Sequence, residues 1–287
     1  TQTAALAFGG SGNSVNSEEY DGTNWAEGNN LNTGRFRLGA FGTQTAAVGF
    51  AGYTTPPATG VQNTEEYNGT SWSNGENYGS AFYALIGTGT LTAGLGAGGY
   101  GSSANQAVVK GYDGTDWTTL TSMNTARRHL GGSGTQTSSI VFGGYVTAAS
   151  ALTEEWNGTT WTEVSDLGTA RQTEAQTGTS ATAAVASGGD KQPGVASNTE
   201  EFNTTVNTIT GAAWAAGGNM NTNRAENFML AGTIPAAVAA GGYLPNASAT
   251  ANSEEYNGTS WTEGNNLNTA RWDHSAAGTQ TACVFGG

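Results

Sequence analysis

The chain has 287 residues and a formal net charge of −13, with nine Lys and Arg residues against 22 Asp and Glu. So few basic residues leave no positive stripe for nucleic acid, and an acidic surface gains nothing from anionic lipids. No apolar run approaches the roughly 20 residues that cross a bilayer, so we expect neither a nucleic-acid partner nor membrane insertion. Abundant glycine, regularly spaced aromatics and no helical periodicity favour an all-β protein.

A ten-residue pattern returns along the whole chain. Its clearest copy is residues 252–261, Asn-Ser-Glu-Glu-Tyr-Asn-Gly-Thr-Ser-Trp. Six copies are marked by anchor aromatics spaced 44 to 54 residues apart: Tyr20, Tyr67, Tyr112, Trp156, Phe202 and Tyr256. Such a period is typical of propellers and solenoids. We therefore expect one domain over residues 1–287, built from six repeats that we number in chain order.

Each copy reads as a β-hairpin. Asn-Gly or Asp-Gly follows the anchor aromatic in five copies, which favours a two-residue type I′ turn. In that register Tyr67 lies opposite Thr70 and Glu65 lies opposite Trp72, so one glutamate of each Glu-Glu pair shares the face of the aromatics.

Two further segments precede each hairpin. One starts near an arginine, such as Arg127, and runs to a Gly-Thr turn; the other is an apolar run that ends in glycines, such as residues 138–144. These segments and the hairpin predict four antiparallel strands, which we call first to fourth from the innermost outward. Four such strands every ~45 residues are the blade of a β-propeller.

The two ends of the sequence complement each other. Residues 1–10 read as a second strand without its first, and residues 270–278 read as a first strand without its blade. Joining them predicts six four-stranded blades, closed by N- and C-terminal strands that share a blade, which removes open sheet edges. Residues 279–287 are then a surplus second strand that competes for the same position. Seven blades are the alternative.

The order of glycines and aromatics resembles the kelch family of galactose-oxidase-type propellers. Gly143-Gly144 is followed by Trp156 and Trp161, and Gly241-Gly242 by Tyr256 and Trp261. The two aromatics are closer together than is usual in kelch repeats. The repeats are also similar in composition to those of structural proteins of marine bacteriophages, a resemblance that implies a virion or another extracellular surface.

The Glu-Glu pairs allow two interpretations. Carboxylates are ligands for hard cations, and they also pair with arginines in buried positions. The third repeat has Ala81-Phe82 at the arginine position and Lys110-Gly111 at the glutamate position, so both partners are lost together, which favours ion pairs. We predict structural ion pairs between the arginines and the second glutamates, namely Arg35, Arg127, Arg171, Arg224 and Arg271 with Glu19, Glu66, Glu155, Glu201 and Glu255.

The residues that catalysis commonly needs are scarce. His129 and His274 are the two histidines and Cys283 is the single cysteine, so we find no set for a metal centre, a copper-radical site or a nucleophilic triad. We expect no catalytic residues, no metal and no cofactor.

The connections between second and third strands vary in length and sequence, whereas those on the opposite face are mostly short. A rigid scaffold with diverse loops on one side is the usual layout of a binding surface. Tyrosines that follow the glycines are expected to form an incomplete ring on this loop face, either as ligand-binding residues or as a cover for the glycines: Tyr53, Tyr100, Tyr145 and Tyr243.

The sequence therefore predicts a non-enzymatic binding or adhesion module on a virion or cell surface. Its partner is a glycan or protein on a host surface, or a neighbouring virion protein. A purely structural assembly propeller and a sugar-active enzyme are the alternatives.

Overall fold

A computed structural model describes residues 5–172, 180–203, 213–224, 229–233, 236–245, 248–272, 275–279 and 282–286. The regular elements in these ranges are β-strands, as expected. In the described ranges we find no helix of the length and apolarity that would cross a bilayer.

The strands follow the repeats of the sequence. The first two repeats contribute β1 (Ala5–Phe8), β2 (Ser17–Tyr20), β3 (Trp25–Glu27), β4 (Gly39–Thr43), β5 (Ala46–Phe50), β6 (Tyr53–Thr54), β7 (Thr59–Gly60), β8 (Thr64–Tyr67) and β9 (Trp72–Gly75). The third and fourth contribute β10 (Ile86–Thr90), β11 (Ala93–Ala97), β12 (Tyr100–Gly101), β13 (Ala104–Asn105), β14 (Val109–Tyr112), β15 (Trp117–Thr119), β16 (Gly131–Thr135), β17 (Ser138–Phe142), β18 (Thr153–Trp156) and β19 (Trp161–Glu163). The remainder are β20 (Ala183–Ser187), β21 (Thr199–Asn203), β22 (Ala213–Ala216), β23 (Met229–Thr233), β24 (Ala236–Ala240), β25 (Ser253–Tyr256), β26 (Trp261–Glu263), β27 (Ser275–Thr279) and β28 (Ala282–Gly286).

These strands form a β-propeller of antiparallel blades. The second, third, fourth and sixth repeats each form a four-stranded sheet in chain order, β4-β5-β8-β9, β10-β11-β14-β15, β16-β17-β18-β19 and β23-β24-β25-β26. The first repeat lies in a five-stranded sheet that also holds the C-terminal strands, in the order β28-β27-β1-β2-β3. Within it, β1 meets β27 at Phe8 and Ser275, and β28 pairs with β27 along five positions.

Across the described ranges the structure has five blades of four or more strands, so the prediction of six, with seven as the alternative, is wrong. The fifth repeat contributes a three-stranded sheet, β20-β21-β22. Its first-strand position reads Glu174-Ala-Gln-Thr-Gly-Thr, where the fourth repeat has Leu130-Gly-Gly-Ser-Gly-Thr, and residues 173–179 lie outside the described ranges.

The repeats are joined by hydrophobic cores that lie between adjacent sheets. Six clusters of buried side chains occur among the described residues, and each combines residues of two successive repeats or their connection. Between the first two repeats, for example, the Phe8 ring lies 4.6 Å from the Trp72 ring. The innermost strand β4 packs beside β10 and β27, which places these blades side by side around an axis.

The hairpin between third and fourth strands is wider than predicted. Tyr67 lies opposite Trp72, with ring centroids 5.0 Å apart, so the loop has four residues rather than two. Asn68 Oδ1 accepts the backbone N–H groups of Thr70 and Ser71 at 3.0 and 2.9 Å, an Asx turn that satisfies donors of the wider loop. Strand alternation still places Glu65 on the face of Tyr67 and Trp72, as predicted.

The first glutamate of each pair, not the second, binds the buried arginine. Arg127 Nη2 donates to Glu154 Oε1 at 2.8 Å, and both side chains are fully buried. The same carboxylate accepts the backbone N–H of Asn124 at 2.7 Å. The equivalent pairs are Arg35–Glu65, Arg171–Glu200, Arg224–Glu254 and Arg271–Glu18. The prediction of the second glutamates as the arginine partners is therefore wrong by one residue. The first glutamate of each pair lies on the same face of the strand as the aromatics, and this face meets the arginine.

These arginines lie before the first strand rather than at its start. Arg127 precedes β16 by four residues, and its Nη1 donates to the carbonyl oxygens of Gly143 and Leu152 at 2.9 and 2.7 Å. The guanidinium therefore joins the segment before the first strand of a blade to the glycine that follows its second strand.

The second glutamates point towards the following repeat. Tyr67 Oη donates to Glu19, Tyr112 Oη donates to Glu66, and Tyr256 Oη donates to Glu201, the last at 2.7 Å. The residue at the tyrosine position after Glu155 is Phe202, which has no hydroxyl. Burial raises the pKa of Glu255. In the second repeat, for example, Glu65 binds Arg35 of the preceding connection and Glu66 binds Tyr112 of the following repeat.

Candidate functional site

The connections between second and third strands gather on the face predicted to carry them. In the second and third repeats they form small hairpins of their own, β6–β7 and β12–β13. Tyr53 and Tyr100 open these hairpins, directly after the glycines that end β5 and β11.

A row of aromatic rings joins these two tyrosines. The ring of Tyr83 lies 4.7 Å from that of Tyr53 and 5.4 Å from that of Tyr100. Phe36 extends the row, with its ring 5.4 Å from Tyr53 in an edge-to-face arrangement. Backbone bridges Phe36–Tyr53 and Tyr83–Tyr100 hold the rings in place, so the row is fixed by main-chain pairing.

Three rings of this row, those of Tyr53, Tyr83 and Tyr100, line a groove of about 550 Å³ between the two hairpins, which we call the tyrosine groove. Its lining consists of residues 53, 58–60, 80–83 and 100–103. Two glycines let its walls approach closely. A Cβ on Gly101 would lie 2.3 Å from the Phe82 ring, and one on Gly60 would lie 2.5 Å from the carbonyl oxygen of Ala81. Ser102 and Ser103 both have positive φ, 51° and 65°, at the tip of the second hairpin.

A cation continues the aromatic row past the groove. The guanidinium of Arg128 lies 4.7 Å from the centroid of Tyr100 and 4.4 Å from that of Tyr145, so it is stacked between the two rings. Its Nη1 donates to Asn105 Oδ1 at 3.1 Å. The side-chain amide of Asn105 in turn donates to the backbone carbonyls of Tyr145 and Val146. These bonds hold Asn105 in position to accept from Arg128.

Adjacent loops are tied together on either side of the groove. Asn13 of the first repeat donates to the carbonyl of Thr55 and accepts its backbone N–H at 2.9 Å, and Asn105 links the third repeat to the fourth. The groove lies between these two ties, where the hairpins of the second and third repeats stand apart.

The phenol of Tyr83 is in its neutral form. Burial raises the pKa of Tyr83, as do Tyr53 and Tyr100, whereas Arg37 and Arg128 lower it. Tyr83 therefore stays a hydrogen-bond donor at neutral pH.

His129, next to Arg128, is buried. Burial lowers its pKa well below the usual 6.5, with Arg37 and Arg128 adding to the shift, so the imidazole is neutral. Its backbone has a φ of 55°, as Arg37 (54°) and Ala84 (56°) have at the equivalent positions. The backbone N–H of Ala84 donates to Arg37 O and that of His129 donates to Ala84 O, at 2.8 and 3.0 Å, so the three repeats are linked here. His274 lies outside the described ranges.

The groove is built by the repeat that lacks the ion pair. Phe82 occupies the arginine position and is buried against Tyr78, with ring centroids 6.3 Å apart. Lys110 occupies the position of the first glutamate, since it pairs with Gly96 as Glu65 pairs with Gly49. Its Nζ donates to the carbonyl of Tyr78 and lies 4.9 Å from that ring. Contacts of Phe82 and Lys110 with Tyr78 thus replace the ion pair in this repeat.

The four tyrosines singled out from the sequence do not form one continuous set. Tyr53 and Tyr100 line the groove, and Tyr145 is linked to them through Arg128. Tyr243 lies elsewhere on the loop face, 5.3 Å from Trp272.

Sequence reasoning missed Tyr83 and Arg128. Both follow the arginine position directly, where the other repeats have Phe36, Gln172, Ala225 and Trp272. Variation at this one position, beside a nearly constant arginine, is the signal that could have found them.

Within the described part of the chain, no cluster of three or more His, Cys, Asp or Glu side chains has the arrangement of a metal site.

Fold and surface together define a β-propeller of sequence repeats with a tyrosine-lined groove on its loop face. Neither protein-family models nor curated protein sequences match this chain.

Proposed function

We propose that this protein is a non-enzymatic recognition module that binds a saccharide in the tyrosine groove. The observation that carries this proposal is the groove itself, about 550 Å³ with three tyrosines along it and serine and threonine at its edges. Aromatic rings stack against the apolar faces of sugar rings, while phenol and hydroxyl groups hydrogen-bond sugar hydroxyls.

The sequence of the third repeat supports the same site. The other five repeats keep the arginine and the glutamate that hold adjacent sheets together. In the third repeat both are replaced, and Phe82, at the arginine position, lines the groove. A departure from the repeat pattern at a surface pocket is the expected mark of a binding site, since sequences break their own local rules mainly where function requires it.

We further propose a kelch-like origin of the repeat and an extracellular or virion-surface setting. The double glycine lies at the end of the second strand, the anchor aromatic at the end of the third and the tryptophan at the start of the fourth, which supports a kelch-like order. The setting rests on the compositional likeness to bacteriophage structural proteins. A host-surface glycan is then the natural partner.

A glycan array tests the proposal. We expect the protein to bind a restricted set of saccharides, and Tyr53→Ala, Tyr83→Ala and Tyr100→Ala each to weaken binding about tenfold or more, since truncating an aromatic anchor of a binding site costs about 2 kcal/mol or more. Tyr243→Ala is the matched control, because Tyr243 is also half-buried against an aromatic ring on the same face. It should leave binding unchanged.

Other outcomes favour the alternatives. Binding to no saccharide, with a protein complex formed through the loop face, would favour a structural assembly propeller. Chemical change of a bound saccharide during incubation would favour a sugar-active enzyme.

A further inference from the structure

The connections around the groove have a charge distribution unlike that of the whole chain. Those between second and third strands, residues 9–16, 51–63, 98–108, 143–152, 188–198 and 241–252, contain one of the 22 acidic residues, Asp190. The two connections that supply Tyr83 and Arg128, residues 76–85 and 120–130, contain one more, Glu76. Asp190 already accepts hydrogen bonds from the side chain of Gln172 and the backbone N–H of Gln192, at 3.1 and 2.9 Å. The net charge of −13 therefore does not describe the surroundings of the groove.

Arg128 differs from the arginines that hold the sheets together. Those five are buried and bound to glutamates, whereas Arg128 is half-exposed. Across the described ranges no carboxylate pairs with Arg128, whose one side-chain hydrogen bond, at 3.1 Å, goes to the neutral amide oxygen of Asn105. A guanidinium that lies between two rings has its N–H groups in its own plane. They can therefore form a bidentate contact with a carboxylate or sulfate.

The position of Arg128 extends the tyrosine groove. Tyr100 lines the groove, and its ring also contacts the guanidinium of Arg128. A saccharide ring over Tyr83 and Tyr100 would place its next unit beside the guanidinium.

We infer that the saccharide is anionic and that Arg128 binds its carboxylate or sulfate group. This inference rests on the proposed function, because it assigns the charge of the ligand in the same groove. Tyr83 and Tyr100 stack on the sugar rings, and Arg128 selects the charged substituent. Tyr145 and Asn105 are positioning residues that hold the guanidinium.

Titration calorimetry with three oligosaccharides of equal length tests this inference. The probes are an oligogalacturonate with carboxylates, a carrageenan-derived oligosaccharide with sulfates, and a neutral galactan-derived oligosaccharide. We expect one anionic probe to bind more tightly than the neutral one and its affinity to fall as NaCl is raised. Arg128→Gln should weaken that binding about tenfold or more, as expected for a lost charge-assisted hydrogen bond, and Arg128→Lys should weaken it less.

The outcomes separate the two proposals. If the neutral probe binds best, and Tyr83→Ala but not Arg128→Gln weakens it, the inferred ligand charge is overturned and saccharide recognition stands. Anionic binding that Arg128→Gln and Arg128→Lys both leave unchanged would also overturn the inference. Failure of all three probes, together with an unreactive glycan array, would overturn both proposals.

Discussion

Buried charge is the feature of single residues that most affects the stability of this propeller. Arg127 and Glu154 are fully buried, and the carboxylate also accepts the backbone N–H groups of Asn124 and Thr125, at 2.7 and 3.3 Å. Burial lowers the pKa of Arg127, whereas the charge of Glu154 raises it. The pair is therefore favourable only while both members are present.

A double-mutant cycle measures this dependence. Arg127→Met or Glu154→Met alone should destabilise the protein by about 3–5 kcal/mol, because each leaves the other charge buried without its partner. The double variant should lose clearly less than the sum of the two. Urea denaturation provides the free energies of unfolding. Glu155→Gln, at the partly exposed second glutamate, is the control and should cost about 1 kcal/mol or less; additive single effects would refute the coupling.

His129 links protein stability to pH. Its pKa in the folded protein lies well below the value of 6.5 that it has when unfolded, because it is buried near Arg37 and Arg128. Below pH 6.5 the unfolded chain therefore takes up a proton that the folded protein does not. The stability contribution is fully present above pH 6.5 and is lost as the pH falls, by up to about 1.4 kcal/mol per pH unit.

Comparison with His129→Asn isolates this effect. Asparagine tolerates the positive φ at this position and does not titrate, so the variant should lose less stability than the wild type between pH 6.5 and 5. Denaturant midpoints across this range measure the difference. Parallel pH profiles for the two proteins would show that His129 does not carry the proton linkage.

At the scale of strands and turns, the period of the sequence predicted most of the architecture. Anchor aromatics and Asn-Gly turns located the third and fourth strands, because a hairpin is encoded by neighbouring residues. The turn geometry was predicted less well. The side chain of Asn68 accepts two backbone N–H groups and forms an Asx turn. The loop therefore has four residues instead of two, and Tyr67 lies opposite Trp72.

Contacts between blades were harder to predict than contacts within them. Co-variation of Arg and Glu in the third repeat correctly paired the two residue types, but the choice of Glu155 over Glu154 was wrong. The deciding information is which face of the strand meets the preceding connection, and this depends on packing between sheets rather than on local pattern. The same limit applies to Tyr83, which reaches Tyr53 only once two repeats are packed together.

At the scale of the whole molecule, the third repeat exchanges a structural contact for a surface feature. Phe82, Tyr78 and Lys110 replace the Arg–Glu pair between the second and third repeats, and Phe82 also forms a wall of the groove. Restoring the repeat pattern should therefore recover a stabilising pair and damage the groove.

Phe82→Arg and Lys110→Glu restore the two positions. Phe82→Arg alone should be destabilised by several kcal/mol, since it introduces a charge without its partner at a buried position. Lys110→Glu, at a half-buried position that is already charged, should cost less. The double variant should be more stable than either single variant by more than 1 kcal/mol, because the two new side chains occupy the positions of Arg35 and Glu65.

Saccharide binding should respond in the opposite direction to this recovered stability. The ring of Phe82 forms the wall that Gly101 contacts, and an arginine folded into the pair would no longer form it. We expect the double variant to fold and to bind the array-selected saccharide at least about tenfold more weakly than the wild type. Urea denaturation and titration calorimetry on the same samples measure both quantities. Wild-type affinity in the folded double variant would show that recognition does not depend on the altered third repeat.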